Sequence, residues 1–344
     1  MDNHDNNPAP PAFPAAAGVH AIAIPLPDVS RLRTANVYVV GSGPVALIDT
    51  GPKLFDAFDL LQEGLADLGI GFADIEAILL THGHPDHFGL AREIRARAPR
   101  PIPCYIHPAD RWRITSAYFN NQTHGREFDD FMRMAGVPDR VTARVKKQFD
   151  IYKILADPID DALPLCDGQG FAGSGYSLQA IHTPGHSPGS CCFHEKYSGV
   201  LFTGDVMIAH ITPNPLYETR RTELTDPCYR SLAHFLSSID RLKKWSARFA
   251  FPGHGAPIDD LERVTSLYRR HHAERSDRIR SCLAPGPRVI NEMVPEIFDD
   301  FPDSETFLAV SEIMVHLEHL MDTGRVRIVD AGPPARFQAK SGKD

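Results

Sequence analysis

His82-Gly83-His84-Pro85-Asp86-His87 closes the short apolar run Ile75–Leu80 and places four ligand-type side chains within six positions. An extended backbone sends alternate side chains the same way, so His82 and His84 face one point in space. Asp86 and His87 follow where the pattern changes to a helix over Phe88–Arg97, so they can face a second point. Zinc accepts imidazole nitrogen and carboxylate oxygen at roughly 2.0–2.2 Å, so this stretch can hold two ions close together. A polar loop in which Asp86 merely caps the following helix would leave three clustered histidines unexplained.

Three later stretches share one design: Thr183-Pro184-Gly185-His186, Phe202-Thr203-Gly204-Asp205 and Phe251-Pro252-Gly253-His254-Gly255. Each follows a strand-like run and puts a His or Asp beside glycine, where the backbone can pass close to a crowded site. Loops at strand ends, held by a rigid sheet, are where sites are commonly built. Upstream, Asp49 ends the run Val45-Ala46-Leu47-Ile48 in the same manner.

The pattern around these stretches is that of an α/β layered domain. Strands are expected on both sides of the turn Gly41-Ser42-Gly43-Pro44, then a helix over Leu54–Leu68, then strand, helix and a strand at Ile102–His107. From Asp110 to about Pro158 three helical patterns succeed one another, near 111–120, 126–135 and 139–154, and read as an insertion. Its Phe128, Phe131 and Met132 are candidates for a lid over an apolar substrate, or else for simple helix packing. Strands return at Ser177–His182, Ser190–His194, Val200–Thr203 and Arg248–Phe251, with helices over Asp226–Lys244 and Leu261–Arg280. Beyond Pro285-Gly286-Pro287, two helices and a strand (289–297, 305–323, 326–329) have the order of a small winged-helix-like module. The expected divisions are therefore a disordered tail over 1–18, a main domain over 19–262, the module over 263–332 and a flexible tail over 333–344.

Bulk composition bounds the function. The 344 residues are 42% hydrophobic and 23% charged, enough to bury a sizeable core. A net charge of −8 argues against a surface built throughout for nucleic acid. Met1–Gly18 lacks the basic start and apolar centre of a signal peptide, and no apolar run has the length of a membrane span. None of the 6 cysteines forms a CxxC pair, and Cys191 and Cys192 would point to opposite faces of a strand. Free thiols in a reducing, cytoplasmic setting are the expectation. Seven of the histidines outside these stretches (His107, His182, His194, His210, His234, His316 and His319) read as ordinary core or surface residues, with His182 close enough to the His186 loop that it could support it.

Taken in order, LIDTG with Asp49, THGHPDH, TPGHSPG, FTGD and PGHG resemble the five motifs of the metallo-β-lactamase superfamily, over roughly Ala35 to Pro257. The resemblance implies a four-layered αββα sandwich with the site at one edge. It implies two divalent ions, zinc first, with Mn2+ or Fe2+ as alternatives. His82, His84 and His186 would bind one ion, Asp86, His87 and His254 the other, and Asp205 would bridge them. Asp86 and Asp49 are the candidate catalytic carboxylates, Asp49 acting by orienting the ligands from behind. Two ions sharing a water lower its pKa enough to supply a bridging hydroxide near neutral pH, so no protein nucleophile is needed, and no GxSxG elbow is evident. His84 stands where the diiron flavoproteins of the superfamily carry Glu, which argues against a redox centre. The basic glutathione-binding tail of glyoxalase II is missing. The stretch from Tyr268-Arg269-Arg270-His271-His272 to Val329 is similar to the tail of the β-lactamase-like protein 2 group, which includes an endoribonuclease and relatives acting on thioesters.

The leading expectation is hydrolysis of a small-molecule thioester of acyl-CoA or acyl-carrier type. A thiol with a pKa of about 8.5 leaves without a general acid, and an apolar insertion suits an acyl chain. The alternatives are an endoribonuclease on single-stranded RNA, a lactonase, and a metal-bearing regulatory protein with little turnover. The RNA reading leans on the basic helix of Arg269, Arg270, His271, His272, Arg275, Arg278 and Arg280, for which a solvated face partnered by Glu274 and Asp277 is preferred. No membrane partner is expected, and a homodimer is the oligomer considered.

Overall fold

The computed structural model describes residues 12–26, 32–120, 125–219, 226, 228–298 and 302–340. One sheet has six strands in chain order: β1 (Val19–Pro25), β2 (Thr34–Val40), β3 (Val45–Ile48), β4 (Ile75–Leu79), β5 (Cys104–Ile106) and β6 (Leu163–Pro164). A second has five, β7 (Gly170–Gly173), β8 (Tyr176–His182), β9 (Cys191–Glu195), β10 (Val200–Gly204) and β11 (Phe249–Pro252), in the order β11-β10-β9-β8-β7. Strands β12 (Val326–Asp330) and β13 (Arg336–Ala339) pair as a separate antiparallel ribbon. The helices are α1 (Ala57–Asp67), α2 (Pro85–Phe88), α3 (Ala91–Arg97), α4 (Pro108–Arg111), α5 (Ser116–Phe119), α6 (Gly125–Met134), α7 (Asp139–Lys153), α8 (Ser231–Leu242), α9 (Leu261–Cys282), α10 (Ile290–Ile297) and α11 (Thr306–Asp322).

Strand periodicity builds the layers. Tyr38, Val40, Ala46, Ile48 and Leu79 of the first sheet pack against Leu178, Ala180, Cys191, Phe193, Phe202 and Phe251 of the second. Their strand neighbours Val37, Val39, Leu47 and Ile78 point the other way, onto Leu61 and Leu65 of α1 and Ile94 of α3. On the far side, Ile181, Cys192, Leu201 and Ala250 meet Phe235 and Ile239 of α8 and Val264 and Tyr268 of α9. Two sheets face to face, each covered by helices, give the expected αββα order, and central strands such as β3 carry apolar residues on both faces because both are buried. Cys191 and Cys192 do lie on opposite faces, and all six cysteines are free.

A fourth core corrects the reading of the insertion. Phe128, Phe131 and Met132 of α6 and Val141 and Val145 of α7 pack with Ile279, Ile290, Met293, Val310, Ile313 and Phe337 from the C-terminal part. Phe131 stacks on Tyr217 at 4.6 Å between centroids, and Phe128 lies 5.5 Å from Phe307. These rings are therefore consumed by helix packing, and the insertion shares one core with the C-terminal part. Helix α9 crosses the division expected at 262/263 without a break, contributing Val264 to one core and Ile279 to another.

The expected tails also end elsewhere. Phe13 meets Tyr38 and Phe251 edge-on at 5.8 and 5.1 Å, so the chain is anchored to the inter-sheet core before Gly18. At the other end, β13 pairs with β12, and Phe337 is fully buried between the ribbon and α11, so residues 336–339 are a strand.

Candidate metal centre

The parallel pairs β3–β4 and β10–β11 point their C-terminal ends to one edge, and every candidate ligand follows such an end or that of β8. Asp49 comes directly after β3, the His82–His87 stretch after β4, His186 after β8, Asp205 after β10 and His254 after β11. Two glycines make the convergence sterically feasible. A Cβ on Gly253 would stand 2.6 Å from the His87 ring and 2.7 Å from Asp205 Oδ1. Gly204 has φ +48 and lies against Thr81, a conformation and a space that suit only glycine.

The structure brings all seven expected ligands into three overlapping groups: His82, His84 and His186; His82, His87 and Asp205; and Asp86, His87 and His254. Asp205 stands between the outer two. Its Oδ2 is 3.6 Å from His186 Nε2, and its Oδ1 is 3.4 Å from both His87 Nε2 and His254 Nε2. Asp86 Oδ2 is 3.4 Å from His254 Nε2. All are buried except His84 and His186, which are partly covered.

Four of the five imidazoles are turned by a partner on the far nitrogen. Thr81 Oγ1 donates to Asp49 Oδ2 at 2.8 Å, which leaves its lone pair to accept from His82 Nδ1 at 3.1 Å. His87 Nδ1 donates to Asp49 Oδ2 at 2.8 Å. His186 Nδ1 donates to the Asn214 carbonyl at 3.2 Å, and His254 Nδ1 to the Thr34 carbonyl at 2.7 Å. These bonds occupy the far nitrogen of four rings and turn the other nitrogen toward the centre, where it can ligate once any proton on it is displaced. His84 Nδ1 lies 2.9 Å from His82 Nε2 and 3.0 Å from His186 Nε2, and His87 Nε2 lies 3.2 Å from His254 Nε2. Asp205 Oδ1 is buried with no hydrogen-bond donor. Converging lone pairs and an orphaned carboxylate oxygen are what a cation satisfies. Two ligands on a tetrahedral zinc lie about 3.3 Å apart, close to these spacings. The residues present fit two divalent ions.

The electrostatics differ between the two halves. Burial, then the neighbouring imidazoles, holds His82 well below the ordinary histidine value. Burial and His186 push His84 down to about 3, and burial lowers His186. Burial also opposes charge on His87 and His254, but Asp205 outweighs it, aided by Asp49 at His87 and by Asp86 at both, so both are raised, His254 to about 10. One side is thus three neutral imidazoles, and the other is a carboxylate-rich nest where cations replace protons.

Sequence reading missed three supports. Asp110, assigned to the start of the insertion, clamps the two His-bearing loops. Its Oδ2 accepts from Gly83 N at 3.0 Å and Ser187 Oγ at 2.6 Å, and its Oδ1 from Gly189 N at 2.9 Å. The signal was available, for Asp110 follows a strand end just as the ligands do. Asn36 Nδ2 donates to the carbonyls of Pro252 and Gly255, both at 2.9 Å, holding the His254 loop, and Thr81 joins Asp49 to His82 as above. His182 braces the His186 loop through Nε2 to the Pro188 carbonyl at 2.9 Å, as its position suggested. His194 instead lies against Trp245, away from the ligands.

Four arginines of the basic helix α9 are engaged in structural contacts. Arg269 pairs with Asp240, Arg275 with Glu312 at 2.8 Å and Arg280 with Asp277 at 3.5 Å, while Arg278 donates to the Glu296 carbonyl. Most partners come from other elements, so Glu274 and Asp277 are not the main ones expected. No helix among the described residues is long and apolar enough to cross a membrane.

A family model described as the Metallo-beta-lactamase superfamily matches residues 31–277. Among curated proteins, "Probable metallo-hydrolase YqjP" of Bacillus subtilis is 28% identical over 87% of this chain and 91% of its own length. An "Atrochrysone carboxyl ACP thioesterase" of Pseudocercospora fijiensis is 26% identical over 88% of this chain and 74% of its own. Among solved structures, a metallo-beta-lactamase family protein from Thermus thermophilus superposes with a TM-score of 0.72 at 29% identity, covering 94% of this chain and 99% of that one. A beta-lactamase domain protein from Burkholderia ambifaria gives 0.75 at 22% identity, over 95% and 93%, and so speaks to the fold alone.

Proposed function

The chain belongs to the metallo-beta-lactamase superfamily, and from that premise we propose that it hydrolyses a thioester of acyl-CoA or acyl-carrier type at a two-metal site. The observation that carries the reading is the set of bare donor atoms converging on either side of Asp205. His82, His84 and His186 would hold one ion, and Asp86, His87 and His254 the other, with one Asp205 oxygen turned to each. Ions held there lower the pKa of water and polarise a carbonyl oxygen.

The chain's own residues supply position and dryness. Asp49 is a positioning residue: both its oxygens are engaged by Thr81 and His87, which leaves none for substrate. Asp86, the other candidate catalytic carboxylate, is aimed at the His254 side and stays ionised, because His87 and His254 outweigh the effect of burial. In the reaction, water oxygen bonds to the acyl carbon, the C–S bond breaks, and the electron pair leaves on sulfur as thiolate. Of water's two protons one ends on the sulfur and the other goes to solvent, so the products are a carboxylate, a thiol and a proton. A thiol of pKa about 8.5 asks for no protein acid, which favours thioesters over esters at a site composed of metal ligands. The thioesterase names of several relatives support the same substrate class. The pairing of the α9 arginines gives the RNA reading little support.

The deciding assay compares acyl-N-acetylcysteamine thioesters, lactones and labelled single-stranded RNA, using protein loaded with Zn2+, Mn2+ or Fe2+, with and without chelator. Chelator-sensitive thiol release is expected. Turnover of lactone or RNA but not thioester would overturn the substrate, and thiol release indifferent to complete metal removal would overturn the chemistry.

A further inference from the structure

Four large apolar side chains stand in solvent at one place in the fold. Phe55 is 96% exposed, Ile151 64%, Ile154 69% and Tyr152 41%. Phe55 lies in the loop that leaves Asp49, and the other three end α7. The backbone joins these two segments. Lys53 N donates to the Leu155 carbonyl at 2.6 Å, and Lys53 Nζ pairs with Asp157 at 2.8 Å. Gly89, three residues beyond Asp86, seals the junction. A Cβ there would come within 2.2 Å of Leu155 O, 2.5 Å of Lys53 N and 2.8 Å of Gly51 O. The Asp49 loop, the end of ligand-bearing α2 and the end of α7 therefore meet backbone to backbone, with no side-chain layer between them.

We propose that Phe55, Ile151, Tyr152 and Ile154 form an apolar rim on which the acyl or aryl chain of the substrate lies, with Tyr152 at its inner end beside the metal ligands. The inference rests on the thioesterase reading. Clustered exposed apolar surface marks a binding function more often than a structural one, and an apolar chain gains by covering it in proportion to the area removed from water. Continuity with the site selects the occupant. The end of α7 is held against Lys53 and Gly89, between the Asp49 loop and the helix that bears Asp86 and His87, so the rim begins where the ligand-bearing segments end. A chain bonded to a carbonyl at the site has its first atoms at Tyr152 and its remainder along the rim. The rings that the sequence suggested for this role, Phe128 and Phe131, lie in another core.

The test uses metal-loaded full-length chain and the triple variant Phe55→Ser, Ile151→Ser, Ile154→Ser, with metal content and melting temperature measured alongside. Acetyl, octanoyl and naphthoyl thioesters are compared by kcat/KM. The octanoyl-to-acetyl ratio of kcat/KM should fall about 10-fold. Phe55→Ser alone, at a position with nothing packed on it, should lower the ratio about 3-fold and serves if the triple variant fails to fold. The non-hydrolysable thioethers S-octyl-CoA and S-ethyl-CoA separate this idea from the function it rests on. If wild type cleaves no thioester, yet the variant loses affinity for S-octyl-CoA alone, the rim stands and the substrate class falls. An unchanged ratio, or an equal loss for all chain lengths, overturns the rim, as expected if these residues receive a protein partner instead.

Discussion

His87 Nδ1 and Asp49 Oδ2 are 2.8 Å apart and both side chains are almost fully buried, so the carboxylate is a fixed backstop for the imidazole and never a ligand in its own right. The same oxygen takes the Thr81 hydroxyl, through which His82 is held, so one carboxylate sets ring orientation on both sides of the centre.

Asp49→Asn should therefore weaken metal binding and activity together, by about 10–100-fold, as expected when a partner behind a ligand is lost. The amide nitrogen would face the His87 N–H as donor against donor. Elemental analysis after dialysis, beside kcat/KM, checks this. Full metal content with full activity would remove Asp49 from its positioning role.

Asp205→Ala should release metal and abolish turnover, because the carboxylate faces both triads. His194→Ala, against Trp245 and away from the donors, should keep both. In the wild type, complete chelation should lower the melting temperature, since ions bound only to the folded state stabilise it by mass action. Equal losses in the two variants would show the site to be wrongly placed.

Asp110→Ala removes the acceptor for Gly83 N, Ser187 Oγ and Gly189 N at once, and leaves Arg113 beside an empty space. Breaking such a buried charged network should cost about 3 kcal/mol or more. Denaturant melts of the metal-free protein isolate this effect. A loss below about 1 kcal/mol would mean that the loops are held by other contacts.

The acid limb of stability should carry the mark of Asp167. Its oxygens take Arg241 at 2.9 and 2.8 Å, and Oδ1 also takes His182 N at 2.8 Å. Burial pushes its pKa up, but Arg241 and the His182 amide outweigh this and hold it below the ordinary value. A depressed carboxylate stabilises the fold above its unfolded pKa, about 3.9, and that contribution is lost as pH falls through the folded value. Asp167→Asn should melt below wild type at neutral pH, and the gap should close as pH drops under about 4. Melts from pH 7 down to 3 test the sign, and a gap that widens in acid contradicts it.

Phe131→Ala should destabilise by about 3–5 kcal/mol, the usual cost of emptying a buried aromatic site, and leave acyl-chain preference unchanged. Its ring is stacked on Tyr217 inside the shared core. A shift in chain preference without loss of stability would restore the lid reading of α6.

The layers and the donor set were legible because both are local in sequence. Val37-Tyr38-Val39-Val40 announces a strand by its composition, and the seven donor residues each follow such a run. Two kinds of feature were hidden. Strand β7, Gly-Phe-Ala-Gly, is a mostly exposed edge with no apolar alternation, so nothing in its composition marks it. The other kind is long-range: Asp110 reaches Gly83 and Gly189, and Phe128 reaches Phe307, across separations that no local periodicity encodes. Stripes on α6 showed that a face would be buried, but its partner lay near the other end of the chain.

That distance gives the shared core a consequence during synthesis. Phe128 and Phe131 leave the ribosome well before Phe307, Val310 and Phe337 are made. At about 5–20 residues per second the wait is roughly 10–35 s. For that interval the growing chain carries an aromatic face covered only in part, by Phe149 of α7 and then by Tyr217, and still lacking Phe307 and the rest of α11. Nascent chains stopped before residue 306 should therefore be clients for chaperones or proteases, while the sheets upstream already have all their strands.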